Sequence, residues 1–273
     1  MARKKQLIIP VFIPFGGCPN RCVFCDQASI TGENKLPETD EVAATIESYL
    51  ATWKQGGKKE VAFYGGSFTG LPMNVQTKYL EIARRYLDAR IIDGVRISTR
   101  PDYVYDGTAD HLKRYGVDTV ELGVQSMDDN VLRLSGRGHD SLCTAAAVKI
   151  LKGFADVGLQ FMPGLPGDTV DTILETTRRV IALSPDFVRV YPALVLRNTA
   201  LHKMYLNGGY IPWTLENMVP VCREISRLLK EAGIPVIKMG LHPSKDLIEN
   251  IVCGPFHPSF RQLVENGGGL SRK

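Results

Sequence analysis

EVAFYGGSFTGLPMNVQTKYLEIARRYLDARIIDGVRIST, residues Glu60 to Thr99, holds one complete strand–helix–strand unit. Glu60 to Tyr64 is short and rich in β-favouring side chains, Met73 to Ala89 carries apolar residues at helical spacing, and Gly94 to Thr99 is strand-like again. A helix between two strands predicts a parallel crossover. The same alternation runs outward in both directions. Further strands are predicted at Gln6 to Ile13, Asp118 to Val124, Gly158 to Met162 and Asp186 to Tyr191, with helices at about Glu38 to Lys54, Asp106 to Tyr115, Ser141 to Asp156 and Asp168 to Leu183. Six such strands predict an α/β fold, a partial TIM barrel of (βα)6 type rather than a doubly wound sheet. A helix at Leu215 to Ala232 and an apolar run, Ile234 to Met239, form a C-terminal extension. Residues 1–240 are expected as one domain; residues 241–273, rich in Gly, Pro and Ser, are expected as a loose tail or a truncated extension.

The 273 residues are 44% hydrophobic and 23% charged, with a mean hydropathy of -0.06, which excludes disorder and leaves ample material for a core. The apolar run from Leu7 to Phe15 contains Pro10 and Pro14, falls far short of the roughly 20 residues of a membrane span, and lacks a cleavage site. A cytoplasmic protein with no membrane partner is expected. The formal charge of +4 is too small to name nucleic acid as a partner by itself.

In a parallel barrel, functional groups sit on loops after the carboxyl ends of strands. Every unusual motif here does so: CPNRCVFC, YGGSFTG, STRPD, GVQS, PGLPGDT and YPALVLR follow or close successive strands. Strand alternation also sorts the side chains. Val120, Leu122 and Val124 share one face, leaving Glu121, Gly123 and Gln125 on the other; Arg96, Ser98 and Arg189 with Tyr191 fall inward likewise. Such a polar lumen suits a polar cofactor and substrate, or else Glu121 forms a structural ion pair with Arg96 or Arg189.

Cys18, Cys22 and Cys25 stand in a C-x3-C-x2-C pattern opened by Gly16-Gly17 and Pro19. Three thiolates are one short of the four that close an ordinary iron–sulfur or zinc site. A 4Fe-4S cubane held by three leaves one iron open to an amine and carboxylate, such as the methionyl end of S-adenosylmethionine (SAM), whose reductive cleavage releases a 5'-deoxyadenosyl radical. Zinc with Asp26 as fourth ligand and a redox dithiol at Cys22–Cys25 are the competing readings. Cys143 and Cys222 read as small core residues, and Cys253, in the tail near His257, reads as inert.

With YGGSFTG, TRPDY, GVQS, SGRGH, MPGLPGDT and YPALVLRNTALHKMYLNGGY, the triad resembles the radical SAM superfamily over about residues 7–240. Within it, the radical domain of the Elongator catalytic subunit is the most similar, and the oxygen-independent coproporphyrinogen oxidases are more distant. The resemblance implies Cys18, Cys22 and Cys25 as cluster ligands. It implies Gly65, Gly66 and Ser67 at the methionyl amine, the Phe24 backbone at adenine, and Gln125 and Arg137 at ribose and carboxylate. Gln160, where the coproporphyrinogen enzymes carry Asp, agrees with the Elongator pattern. Ser98 stands where relatives have Glu before TRPDY, so that contact is lost or moved to Glu121. Asp168 is expected as a helix N-cap.

The Elongator subunit carries an acetyltransferase domain after its radical domain and acts on the wobble uridine of transfer RNA. No stretch after Met239 is expected to form that domain, so the substrate is left open: RNA; a small metabolite held by Arg189 and Tyr191; or, for a non-enzymatic iron–sulfur carrier, none. A reductant such as flavodoxin or ferredoxin is implied for either enzyme.

Overall fold

A computed structural model describes residues 6–19, 21–26 and 35–266. Seven strands form one sheet in the order β1 (Gln6–Ile13), β2 (Lys58–Gly65), β3 (Gly94–Thr99), β4 (Val117–Gln125), β5 (Asp156–Phe161), β6 (Phe187–Val190) and β8 (Val236–Met239). Spatial order follows chain order, as in the wall of a (βα) barrel and unlike a doubly wound sheet, whose order reverses midway. The expected extension strand, Ile234 to Met239, is thus the seventh member of the sheet, parallel to β6.

The chain divides into two compact units. One comprises Met1–Pro19, Glu33–Leu122 and Ala146–Val157. In it, α1 (Thr39–Thr52) begins with a reciprocal capping box between Glu38 and Glu41, and α2 (Met73–Asp88) buries Tyr79, Leu80, Ile82 and Ala83. Phe63 of β2 packs its ring 5.1 Å from Phe68 and 5.9 Å from Tyr79. Val61, Val95, Ile97, Val120 and Leu122 are wholly buried, each contributing about 1.5–3 kcal/mol. Helix α3 (Asp106–Arg114) returns the chain to β4.

The second unit comprises Asn20–Gly32, Gly123–Ala145 and Gly158–Lys273. Asp128 caps α4 (Asp129–Leu134), Thr169 caps α6 (Val170–Ala182) and Thr214 caps α8 (Leu215–Glu231), each accepting a backbone hydrogen bond. Helix α5 (Ser141–Leu151) ends five residues before its expected limit, because a turn at Lys152 and Gly153 leads into β5. Helices α4 and α7 (Ala200–Leu206) are too short for periodicity to reveal.

The expected loose tail is corrected for residues 241–266. Ser244 caps α9 (Lys245–Asn250), and β9 (Ile251–Cys253) pairs antiparallel with β7 (Val195–Leu196). Phe260 and Val264 of α10 (Phe260–Glu265) are buried, and Arg223 donates from Nε to the Val264 carbonyl at 3.1 Å. The Gly, Pro and Ser residues that suggested looseness serve as cap and turns between these elements. The Gly-Gly-Gly stretch lies outside the described residues. No helix among the described residues is long and apolar enough to cross a membrane.

Candidate active site

In the first unit the cysteine loop begins where β1 ends, and it is locked to the loop after β2. Ile13 accepts hydrogen bonds from Gly16 and Gly66, each at 3.0 Å, and the Ser67 amide donates to the Gly16 carbonyl at 2.7 Å. Gly66 and Gly16 pack backbone on backbone, so closely that a Cβ on Gly66 would overlap Gly16; one on Gly17 would overlap the Ser67 carbonyl and Gly70. The Gly65-Gly66 pair is therefore more than a turn. Gly65 has φ +107°, a conformation open chiefly to glycine, and Gly66 leaves the space that seats the cysteine loop. Cys18 lies with its sulfur 3.8 Å from the buried Ser67 hydroxyl.

The inward polar residues of this unit are occupied with one another. Arg96 is 6% exposed and donates to Glu60 at 2.8 Å and to Glu121 at 2.9 Å. Glu60 also accepts from Gln6 at 2.6 Å and pairs with Lys58 at 2.5 Å, while the Tyr64 hydroxyl donates to Glu121 at 3.0 Å. Burial pushes the Glu60 carboxyl up, yet hydrogen bonding by Lys58 and the charge of Arg96 outweigh it and hold Glu60 below the usual carboxylate range. Structural ion pairing, one of the two readings of this row, accounts for Arg96 and Glu121 by itself. Half-buried Ser98 stands opposite Glu121 in the strand register. Glu60 and Tyr64 escaped notice in the sequence, although alternation on β2 separates them from buried Val61 and Phe63.

In the second unit, the Val23 amide donates to Ser135 at 3.1 Å and its carbonyl accepts from Leu201 at 2.7 Å, anchoring the segment that carries Cys22 and Cys25. Phe24 packs against Val131, Met162, Leu165 and Ala193, together with Tyr191. Arg137, 5% exposed, donates from Nη1 to the Cys22 sulfur at 3.1 Å and from Nη2 to the Gly123 carbonyl at 2.5 Å. Gln125 closes β4 with φ 67°, a left-handed conformation uncommon outside glycine, and its carbonyl accepts from Met162 at 2.8 Å. Its Oε1 atom is buried without a hydrogen-bond partner. Gln160 and Arg189 are neighbours in register, and Arg189 donates to the Tyr191 hydroxyl at 3.3 Å.

Asp168 departs from its expected cap role, which Thr169 fills. Its carboxylate instead accepts from the Gly164 amide at 2.8 Å and the Thr172 hydroxyl at 2.5 Å, and burial pushes its pKa up to about 6.

Residues 12–180 match the Radical SAM superfamily. The chain belongs to that superfamily. Residues 185–267 match the Radical_SAM C-terminal domain. The chain is 26% identical over 272 residues to a tRNA uridine(34) acetyltransferase of Dehalococcoides mccartyi, covering 83% of this chain and 59% of that protein. It is 33% identical over 258 residues to the protein of that name from Methanocaldococcus infernus, covering 78% and 48%. The chain thus spans about half the length of these curated relatives. In fold it is similar to archaeal Elp3 of M. infernus with an N-terminal deletion, with a TM-score of 0.73 and 22% identity over 96% of this chain and 62% of that one. Coproporphyrinogen III oxidase from Escherichia coli shares the fold at a TM-score of 0.63 and 20% identity, covering 84% and 53%. These are partial TIM barrels, as the strand pattern predicts.

Superfamily membership makes this radical SAM chain an enzyme and implies a 4Fe-4S cluster and SAM. The residues present fit those groups. Three cysteines unpaired by disulfides supply a thiolate set one short of closure. The buried, unpartnered Oε1 of Gln125, at a strained position on a strand's carboxyl end, is what a polar ligand would satisfy. Among the described residues no three Cys, His, Asp or Glu side chains are gathered to hold a single metal ion.

Proposed function

We propose that Cys18, Cys22 and Cys25 hold the cluster, and that Gly65, Gly66, Ser67, Gln125 and Gln160, with the Phe24 backbone, hold SAM, in a cytoplasmic enzyme that modifies transfer RNA. Bound there and reduced by a carrier such as flavodoxin or ferredoxin, the cluster would supply one electron for cleavage of the C5'–S bond of SAM, which gives methionine and a 5'-deoxyadenosyl radical. This chain's residues do the rest. Ser67 and the glycines present backbone groups at the close of β2; Gln125 offers a buried acceptor to the ligand's hydroxyl or ammonium groups; Arg137 steadies Cys22. Arg189 and Tyr191 are the substrate contacts, and Ser98, opposite Glu121 in the strand register, is a further cofactor contact.

The observation that carries the RNA reading is the match to proteins named tRNA uridine(34) acetyltransferase, which extends across 83% of the chain. The test is anaerobic reconstitution with dithionite and SAM, followed by detection of 5'-deoxyadenosine and by mobility shift with bulk transfer RNA. Iron should be lost on replacing Cys18, Cys22 or Cys25 with Ala and kept on replacing Cys143, Cys222 or Cys253. A transfer RNA complex that weakens steeply with salt is expected, since each neutralised phosphate releases counterions. No complex at low salt would leave the second reading, a small metabolite, which the half-buried Arg189–Tyr191 pair favours.

A further inference from the structure

Gln76 of α2 lies outside the motifs named above, yet it is 2% exposed and its side chain reaches back to the loop after β2. Its Nε2 donates to the Leu71 carbonyl at 2.7 Å and to the Thr69 carbonyl at 3.2 Å. Those two acceptors fix the amide's orientation, because the reverse one would turn Oε1 onto two carbonyl oxygens. Oε1 itself is buried without a hydrogen-bond partner among the described residues, an arrangement that costs stability. A helix cap would not be built this way. The first turn of a helix exposes N–H groups and calls for an acceptor, whereas Gln76 directs its donors at the preceding turn and leaves its acceptor unused.

That turn, a single turn of 3-10 helix at Phe68–Gly70, carries the groups that clasp the cysteine loop. The Gly70 amide donates to the Ser67 carbonyl at 2.9 Å and the Leu71 amide to the Phe68 carbonyl at 3.1 Å. Gly70 packs on the Gly17 backbone so closely that a Cβ there would overlap the Gly17 carbonyl, and the Ser67 amide holds the Gly16 carbonyl. Cys18 follows directly. On its other side the turn is tied to the close of β3, where the buried hydroxyls of Thr69 and Thr99 share a hydrogen bond of 2.6 Å. The Thr69 carbonyl and the Gly70 amide belong to one planar peptide unit, so the donor that aims the carbonyl also aims the amide and sets the place of Gly70. We propose that Gln76 is a positioning residue for the cofactor site: by holding the Thr69–Gly70 peptide it keeps Ser67 and Gly70 seated on Gly16 and Gly17, and through them places Cys18. In linking this clasp to cluster and SAM, the proposal rests on the assignment of Cys18 and Ser67 made above.

The test uses the full chain, before and after anaerobic reconstitution, with Gln76→Leu and the nearly isosteric Gln76→Glu, which keeps the comparison open should Gln76→Leu not fold. Before reconstitution, amide hydrogen exchange in Gln76→Leu should quicken about fivefold, the worth of one ordinary hydrogen bond, at Ser67, Gly70 and Leu71, with β2 and β3 unchanged. A residue that only supports the fold would quicken all of them alike. In Gln76→Glu the loss should be full at pH 8, where a carboxylate faces two carbonyls, and should recede towards pH 6, because burial favours the neutral acid, whose hydroxyl can donate to one of them. Rates are taken as ratios to the parent at each pH. After reconstitution, SAM affinity, read from the paramagnetic resonance of the reduced cluster, should fall about fivefold in Gln76→Leu and follow the same pH course in Gln76→Glu. Exchange at the three amides that is unchanged, or that quickens equally throughout the sheet, overturns the positioning role. Local loosening with iron content and SAM affinity both at the parent's level overturns its link to the cofactor site, while the assignment of Cys18 and Ser67 stands. If exchange responds locally but the parent takes up no cluster, the clasp stands and the cofactor reading falls.

Discussion

The Arg137 guanidinium donates to the Cys22 sulfur at 3.1 Å while its other terminal nitrogen is bound to the Gly123 carbonyl. The resemblance alone assigns Arg137 to the ribose or carboxylate of SAM; the geometry gives it a partner on a proposed cluster ligand. Hydrogen bonds to ligand sulfurs are one lever on an iron–sulfur potential. Loss of a cation and a donor beside Cys22 should disfavour the more negative, reduced cluster. Arg137→Ala should therefore retain iron but lower the midpoint potential, with Arg137→Lys intermediate because it keeps the charge and loses the fork. Redox titration followed by paramagnetic resonance checks this. An unchanged potential with weakened SAM binding would return Arg137 to the ligand.

Gly66 tests the claim that the loop after β2 seats the cysteine loop. A methyl group there would strike the Gly16 backbone, which no side-chain rotation can relieve. Gly66→Ala should displace Cys18 and sharply reduce iron content. The sheet should survive, since β2 itself is untouched. Far-ultraviolet circular dichroism and iron assay on the same sample separate the two effects; full iron occupancy in Gly66→Ala would refute the packing role.

The strands and long helices were legible because each is a local pattern. β1 and β3 follow their predicted limits, and Phe63, Ile97 and Leu122 face the core as alternation requires. What escaped depends on contacts distant in sequence. The β7–β9 pair consists of strands two and three residues long, too short to show alternation, and only pairing across more than fifty residues defines them. The cysteine spacing singled out the residues proposed to hold the cluster. It did not show that Gly66 presses on Gly16, nor that Arg137 reaches Cys22 across 115 positions.

The buried network centred on Arg96 should behave as a structural unit. Its removal takes the guanidinium from two carboxylates, Glu60, wholly buried and left with Lys58 and Gln6, and Glu121, nearly buried and left with Tyr64. Breaking one partner of a buried ion pair costs about 3–5 kcal/mol, so Arg96→Met should lose stability of that order at pH 7 in urea denaturation. Glu60 is held below its usual range, and such a group contributes stability above its unfolded pKa of 4.5 that fades as pH falls. The gap between Arg96→Met and the parent should accordingly narrow below pH 4.5. A variant as stable as the parent at pH 7 would point to carboxylates that are not charged together, and the network would need another account.

Asp168 makes the opposite prediction. Its carboxyl is raised from 3.8 to about 6, chiefly by burial, against the hydrogen bonds from Thr172, Gly164 and Thr169 that favour the charged form. The folded chain therefore binds the proton more tightly than the unfolded chain, and the resulting stability is complete below 3.8 and lost as pH rises through 6. A shift of two units corresponds to about 3 kcal/mol. Asp168→Asn carries no titrating group, keeps one acceptor oxygen for the Gly164 amide or Thr172, and should lack this pH dependence. Measured by urea denaturation at pH 4 and pH 7, the parent should lose about 3 kcal/mol more than Asp168→Asn across that interval. Equal losses would show that Asp168 keeps an ordinary carboxylate pKa. The loop after β5 would then owe its shape to Gly164 and to the Tyr210 hydroxyl, which donates to the Gly164 carbonyl at 2.6 Å, rather than to a buried carboxyl.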